Sequence, residues 1–170
     1  LKKDFSMPKR DLTVYFENWD EEPFAISRGC TDNFDVVIVK LKQNEFEGWG
    51  ECTPTDRYNE SVSTTISLIE NIGKHLEEGI SRTEIQSLMP KGAARNAVDC
   101  ALWDLEAKMT GKRIWELDEL LIHLEKGSLS DPEIVTTVFS LGLENPIKMG
   151  QMAKKHSKRP ILKIKLTGDG

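Results

Sequence analysis

Apolar positions recur with two different periods along the chain, and the changes between them divide it into three stretches. In the first fifty residues, short β-rich segments alternate with charge: Leu12–Phe16, Pro23–Ser27, Val36–Val39 and Phe46–Glu51, with Gln43-Asn44 as a turn before the last. Three or four such strands in sequence predict an antiparallel meander. The period then lengthens. Val62, Ile66, Ile69, Ile72 and Leu76 follow at three- and four-residue steps, which predicts one helix capped by Asn59 or Ser61 and ended by Gly79. Ala94, Val98, Ala101, Leu102, Leu105 and Met109 mark one face of a second helix, stopped by Gly111, and its alanines allow a close neighbour.

From about residue 133 the pattern changes again. Val135–Leu141 reads as a strand, Pro146 opens a helix running to about Ser157, and Pro160 precedes a second strand, Ile161–Thr167. A strand, a helix and a strand in this order form a β-α-β unit, which builds parallel sheet. One such unit lacks strand neighbours. The sequence stops at Gly168-Asp-Gly170, where a further element is expected, so a missing C-terminal part is inferred.

Composition narrows the class. The 170 residues are 38% hydrophobic and 30% charged, the balance of a soluble globular chain. A net charge of −5 argues against a dedicated nucleic-acid binder. Cys30, Cys52 and Cys100 form no metal-binding spacing and read as reduced thiols, and the three histidines are scattered. No secretory leader and no membrane-length apolar run are visible, so a cytoplasmic protein without membrane contact is expected. Met7 is a candidate initiator.

The last strand is the most informative for chemistry. Alternation puts Ile161, Lys163, Lys165 and Thr167 on one face, and Leu162, Ile164 and Leu166 on the other. A solvated edge strand carrying protective lysines is one reading. The other is a lysine pair pointing into a barrel. A lysine at ~10.4 is a poor base at neutral pH, and a neighbouring cation lowers that value. Two lysines one pleat apart supply the cation. From Lys148 to Lys165 inclusive there are seven Lys or Arg and no acid, which reads as a solvated surface because stacking aromatics are absent.

Four segments, in order, resemble one family. Gly48-Trp-Gly-Glu-Cys-Thr-Pro54 with Arg57-Tyr58-Asn-Glu-Ser61 resembles the loop after the third strand of dipeptide epimerases. Gly92-Ala-Ala-Arg-Asn-Ala-Val-Asp-Cys-Ala-Leu-Trp-Asp-Leu105 resembles a helix signature of the muconate-lactonizing branch of the enolase superfamily. Thr137-Val-Phe-Ser140 with Pro146 resembles the first barrel strand of that family, and Leu162-Lys-Ile-Lys-Leu166 its second, K-x-K strand.

The resemblance covers about residues 11–168 and is nearest the L-Ala-D/L-Glu epimerases. It implies an α+β capping domain over residues 1–128, and over 129–170 the first β-α-β unit of a truncated (β/α) barrel. A complete barrel needs ~250 residues. It also implies Mg²⁺, with acidic ligands expected beyond residue 170 and no metal ligand within the chain, so residues 1–170 alone are expected to be inactive.

By the same resemblance, Lys165 is an acid/base for proton transfer at the α-carbon of the second residue of a small dipeptide, and Lys163 supports it. Thr137 and Ser140 belong to the strand that binds substrate, Ser140 standing where the family often has a threonine. Arg28 and Thr31 lie in one capping loop and Arg57 in another. Thr31 falls where members selective for acidic dipeptides often carry an arginine, so an uncharged or cationic second residue is as credible as glutamate.

N-acylamino acid racemases, o-succinylbenzoate synthases and cycloisomerases share the scaffold, and the R-Y-x-E-S loop favours the epimerase. A non-catalytic binding or structural module derived from the cap is the alternative of another class, against which the K-x-K strand counts. Homo-oligomerisation stays open.

Overall fold

The computed structural model describes residues 9–27, 29–117 and 133–167. They form two compact units. The first contains residues up to 18 and 35–129, the second residues 19–34 and 130–170.

The first unit is a three-stranded sheet backed by helices. Strands β1 (Asp11–Ile26), β2 (Gly29–Gln43) and β3 (Phe46–Cys52) lie in that order, and β2 pairs antiparallel with β3 from Val37↔Cys52 to Gln43↔Phe46. Asn44, in the left-handed region at φ 55°, makes the expected turn. The two strands predicted before residue 28 are one continuous strand. The charged stretch between them extends instead of turning, and Pro23 is tolerated because β1 is an edge strand.

Helix α1 (Val62–Asn71) starts at Ser61, whose side chain accepts from the Thr64 amide while Thr64 Oγ1 accepts from the Ser61 amide. The apolar stripe continues through Ile72, but the helix does not. The backbone breaks at Ile72 and resumes as α2 (Gly73–Glu77), so the single predicted helix is two. A helix that the apolar pattern did not reveal, α3 (Arg82–Leu88), follows a capping box between Ser81 and Glu84. Helix α4 (Ala93–Thr110) ends at Gly111 in the left-handed conformation, as its sequence requires. Met109, predicted as core, is 37% exposed.

The core lies between the sheet and these helices. Val37, Val39 and Leu41 of β2 meet Ile69, Leu76, Ile85 and the α4 residues Ala97, Val98, Ala101 and Leu105. Two glycines set the spacing. A Cβ on Gly50 would sit 1.9 Å from the Ala97 carbonyl oxygen, and one on Gly48 would sit 2.2 Å from that of Ala101. Strand and helix therefore touch backbone to backbone.

Polar side chains of α4 exploit that approach. Asp104 accepts from the Trp49 amide at 2.8 Å, Lys108 donates to the Glu47 carbonyl at 2.8 Å, and Asn96 donates to the Glu51 carbonyl at 3.4 Å. The free edge of β3 is thereby occupied by helix side chains in place of a fourth strand.

The second unit holds a parallel pair, β4 (Phe139–Leu141) and β5 (Leu162–Ile164), joined by helix α5 (Pro146–Lys155). Asn145 caps α5 by accepting from the Lys148 amide, with Pro146 in its first turn. Both strands are shorter than the apolar runs that predicted them, but the β-α-β order and parallel pairing are those expected.

Gly50→Ala tests the contact between strand and helix. Its Cβ would meet backbone, which cannot rotate away, so the variant should lose about 3 kcal/mol or more of stability. Urea unfolding should show a lower midpoint with an unchanged slope, and an unchanged midpoint would disprove the close approach.

Candidate functional site

The register of β4 and β5 decides which side chains share a face. Ser140 pairs with Lys163, flanked by Phe139↔Leu162 and Leu141↔Ile164. The Phe139 amide donates to the Ile161 carbonyl at 2.9 Å, and the Lys165 amide to the Leu141 carbonyl at 3.1 Å, so the ladder extends past the strand ends. Paired residues of parallel strands point the same way, and side chains alternate along each strand. Ser140, Lys163 and Lys165 therefore share one face.

The opposite face carries α5. His156, at the end of that helix, stacks on Phe139 with ring centroids 4.2 Å apart, and the Arg159 guanidinium lies 5.1 Å from the same ring. Leu141 is fully buried. The lysines are thus turned away from the helix layer, Lys165 half-buried and Lys163 exposed.

The tip of the β1–β2 hairpin belongs to this unit. The Leu143 amide, just after β4, donates to the Ala25 carbonyl at 2.7 Å, and a Cβ on Gly142 would lie 3.3 Å from the Ala25 nitrogen. Thr31 of the tip is exposed, and Arg28 lies outside the described residues. Thr137 precedes β4 and is exposed, so the structure does not bring it onto the ladder with Ser140.

Arg57 is in the first unit, on a 3₁₀ turn (Asp56–Tyr58) where its guanidinium lies 5.8 Å from the Tyr58 ring. Beside that turn is an open cleft of about 490 Å³, lined among others by Thr55, Tyr58, Glu60, Lys91 and Asn96. Among the described residues, no group of three or more His, Cys, Asp or Glu side chains is placed to hold a metal ion. No helix among them is long and apolar enough to cross a membrane.

The family model for the mandelate racemase / muconate lactonizing enzyme N-terminal domain matches residues 9–117. The chain belongs to this family, within the enolase superfamily. The L-Ala-D/L-Glu epimerase of Escherichia coli K12 is 36% identical over 160 residues, 92% of this chain and 47% of that protein. A crystal structure of an Agrobacterium tumefaciens enolase family member with homology to dipeptide epimerases, holding sodium and L-Ala-L-Glu, matches with TM-score 0.79 and 39% identity, over 92% of this chain and 45% of that one. A dipeptide epimerase from Enterococcus faecalis complexed with Mg and L-Leu-L-Tyr matches with TM-score 0.74 and 25% identity, over 94% and 46%. The chain spans about half the length of the relatives it matches.

Membership identifies residues 9–117 as the superfamily's N-terminal capping domain, and the antiparallel pairing and helices there agree with the α+β expectation. Two features of the cap were missed from sequence. The R-Y-N-E-S segment was noted, but not that Glu60 binds across to the start of α4, 33 residues on, where Gly92 has no capping side chain. Asp104 and Asn96 lie inside the recognised helix signature, yet their contacts are to β3, a structural role.

Cys52 is buried at the end of β3. Burial, reinforced by the nearby carboxylates of Glu60 and Glu51, pushes its thiol up to about 12. At pH 8 its thiolate fraction is on the order of 10⁻⁴, so alkylation should be negligible. Native labelling with iodoacetamide at that pH should consume exposed Cys30 and spare Cys52, as read by peptide mass. Equal labelling would contradict the burial of Cys52.

Proposed function

We propose that the complete protein is a dipeptide epimerase, inverting the α-carbon of the second residue of a dipeptide, and that residues 1–170 alone do not turn over. The observation that carries this reading is the common face of Ser140, Lys163 and Lys165, turned away from α5 in a parallel strand pair. The named activities of the relatives support the same class.

The chemistry follows from that face. The α-C–H bond breaks, its proton passes to the Lys165 Nζ, and the electron pair moves into the substrate carboxylate as an enediolate. Lys163, one pleat away, supports Lys165 electrostatically and favours the developing negative charge. Return of a proton to the opposite face from a second acid inverts the centre. Ser140 offers a hydroxyl to the bound dipeptide on the same face, and Thr137 lies just ahead of it. Arg28, Thr31 and Arg57, on the capping segments, are assigned to recognition of the substrate side chain. In the complete protein, bound Mg²⁺ would offset the charge of the substrate carboxylate. The setting proposed is cytoplasmic.

Lys165→Ala should lower the rate of epimerisation by about 10²–10⁴-fold, and Lys163→Ala by less, because only the former removes the proton acceptor. Chiral chromatography of the two epimers during turnover by the complete enzyme measures both. A Lys165→Ala enzyme at wild-type rate would rule out the assignment.

Thr31 cannot supply the bidentate, charge-assisted contact that an arginine gives a carboxylate. Installing it with Thr31→Arg should raise preference for L-Ala-L-Glu over L-Ala-L-Leu by about tenfold in kcat/KM. A wild-type enzyme already favouring glutamate by more than about a hundredfold, with no gain from the substitution, would move the determinant elsewhere.

A further inference from the structure

The start of α4 has no cap of its own. Its N-cap residue, Gly92, lacks a side chain and sits at φ 149°, and the first helical amide, that of Ala93, would go unmatched by any local group. Glu60 fills the gap from 33 residues away. Its Oε1 accepts from the Ala93 amide at 2.7 Å, where the helix dipole also favours a carboxylate. Gly92 makes this approach geometrically open, since a Cβ there would lie 2.6 Å from the same oxygen.

The segment that Glu60 ends is closed on itself. The Tyr58 and Glu60 amides donate to the Thr55 carbonyl at 3.0 and 3.2 Å, and the Asn59 amide to that of Asp56 at 3.0 Å, with Asn59 in the left-handed region. One residue beyond Glu60, Ser61 caps α1. The turn is therefore held by its own hydrogen bonds between two helix starts, and it presents Arg57 and Tyr58 outward, Tyr58 being 67% exposed.

We infer that Glu60 is a positioning residue for substrate recognition: by clamping the 55–59 turn to the first amide of α4, it fixes where Arg57 and Tyr58 meet the dipeptide. The inference rests on the reading above in which Arg57 takes part in recognition. It adds that the acidic residue of R-Y-N-E-S acts through the backbone of another helix and touches no substrate. Misplacing the turn weakens binding of the side chain that Arg57 and Tyr58 meet and leaves proton transfer by Lys165 in place.

The test uses the complete enzyme with Glu60→Ala and Glu60→Gln, the glutamine keeping an acceptor for the Ala93 amide. Glu60→Ala should raise KM for a preferred dipeptide by about tenfold while kcat stays within about twofold, because the side-chain contacts it weakens are made equally to bound substrate and transition state. Trypsin cleavage after Arg57 in the native protein should accelerate by about tenfold in the same variant, since the turn then samples open conformations. Glu60→Gln should lie near wild type in both.

Unchanged KM and unchanged cleavage at Arg57 in Glu60→Ala would overturn the inference. So would cleavage spread over many sites in both variants, which marks a purely structural role. If the wild-type enzyme turns over no dipeptide, the functional reading fails, and the proteolysis alone then decides whether Glu60 clamps the turn.

Discussion

The contact on which the cap depends is the backbone approach of α4 to β3. Gly48 and Gly50 leave no room for even one methyl group between strand and helix, and Ala97 and Ala101 meet them from the helix side. At that separation Asn96, Asp104 and Lys108 reach backbone groups that an edge strand would otherwise offer to water or to another chain. A larger spacing would lose these hydrogen bonds together. Their net contribution is about 1 kcal/mol each, less than the burial of the apolar layer beside them. Their value lies more in fixing one register of helix against strand than in raw stability.

That register carries through to the loops. β3 ends at Cys52, and the chain leaves it into the 53–61 segment. α4 begins at Ala93, which Glu60 of that same segment binds. The two ends of the segment are therefore tied to the same pair of elements that the glycines hold together. A shift of α4 along β3 would move the turn bearing Arg57 by a similar amount. The second unit uses a different device, in which α5 covers one face of a two-stranded parallel ladder through Phe139 and His156 and leaves Ser140, Lys163 and Lys165 on the other.

Local patterns predicted local elements well. Helix α4 was legible because its apolar residues repeat over 18 positions and Gly111 ends it. The β-α-β unit was legible from Pro146 and two apolar runs. The break at Ile72 was not, because the apolar stripe runs on through it while the backbone does not. The continuous β1 was hidden by Asn18–Glu22, a polar stretch that reads as a turn until its edge position is known. Helix α3 buries few side chains, and its clearest mark was the spacing of Ser81 and Glu84. For the candidate site, alternation alone placed Lys163 and Lys165 together, but which face the helix covers needed the packing of Phe139. The pairing of Glu60 with Ala93 has no local signature, since nothing in a sequence links positions 33 residues apart without the fold.

The central claim is that the lysine face serves proton exchange at the α-carbon of the second residue of a dipeptide. The most direct measurement is proton NMR of L-Ala-L-Glu or L-Ala-L-Leu incubated with the wild-type complete enzyme and Mg²⁺ in D₂O. The account predicts loss of the α-proton signal of the second residue in both epimers as deuterium enters, with the α-proton of the first alanine retained. Deuterium entering only at the first residue, or no exchange with any dipeptide while another enolase-superfamily reaction proceeds, would contradict it.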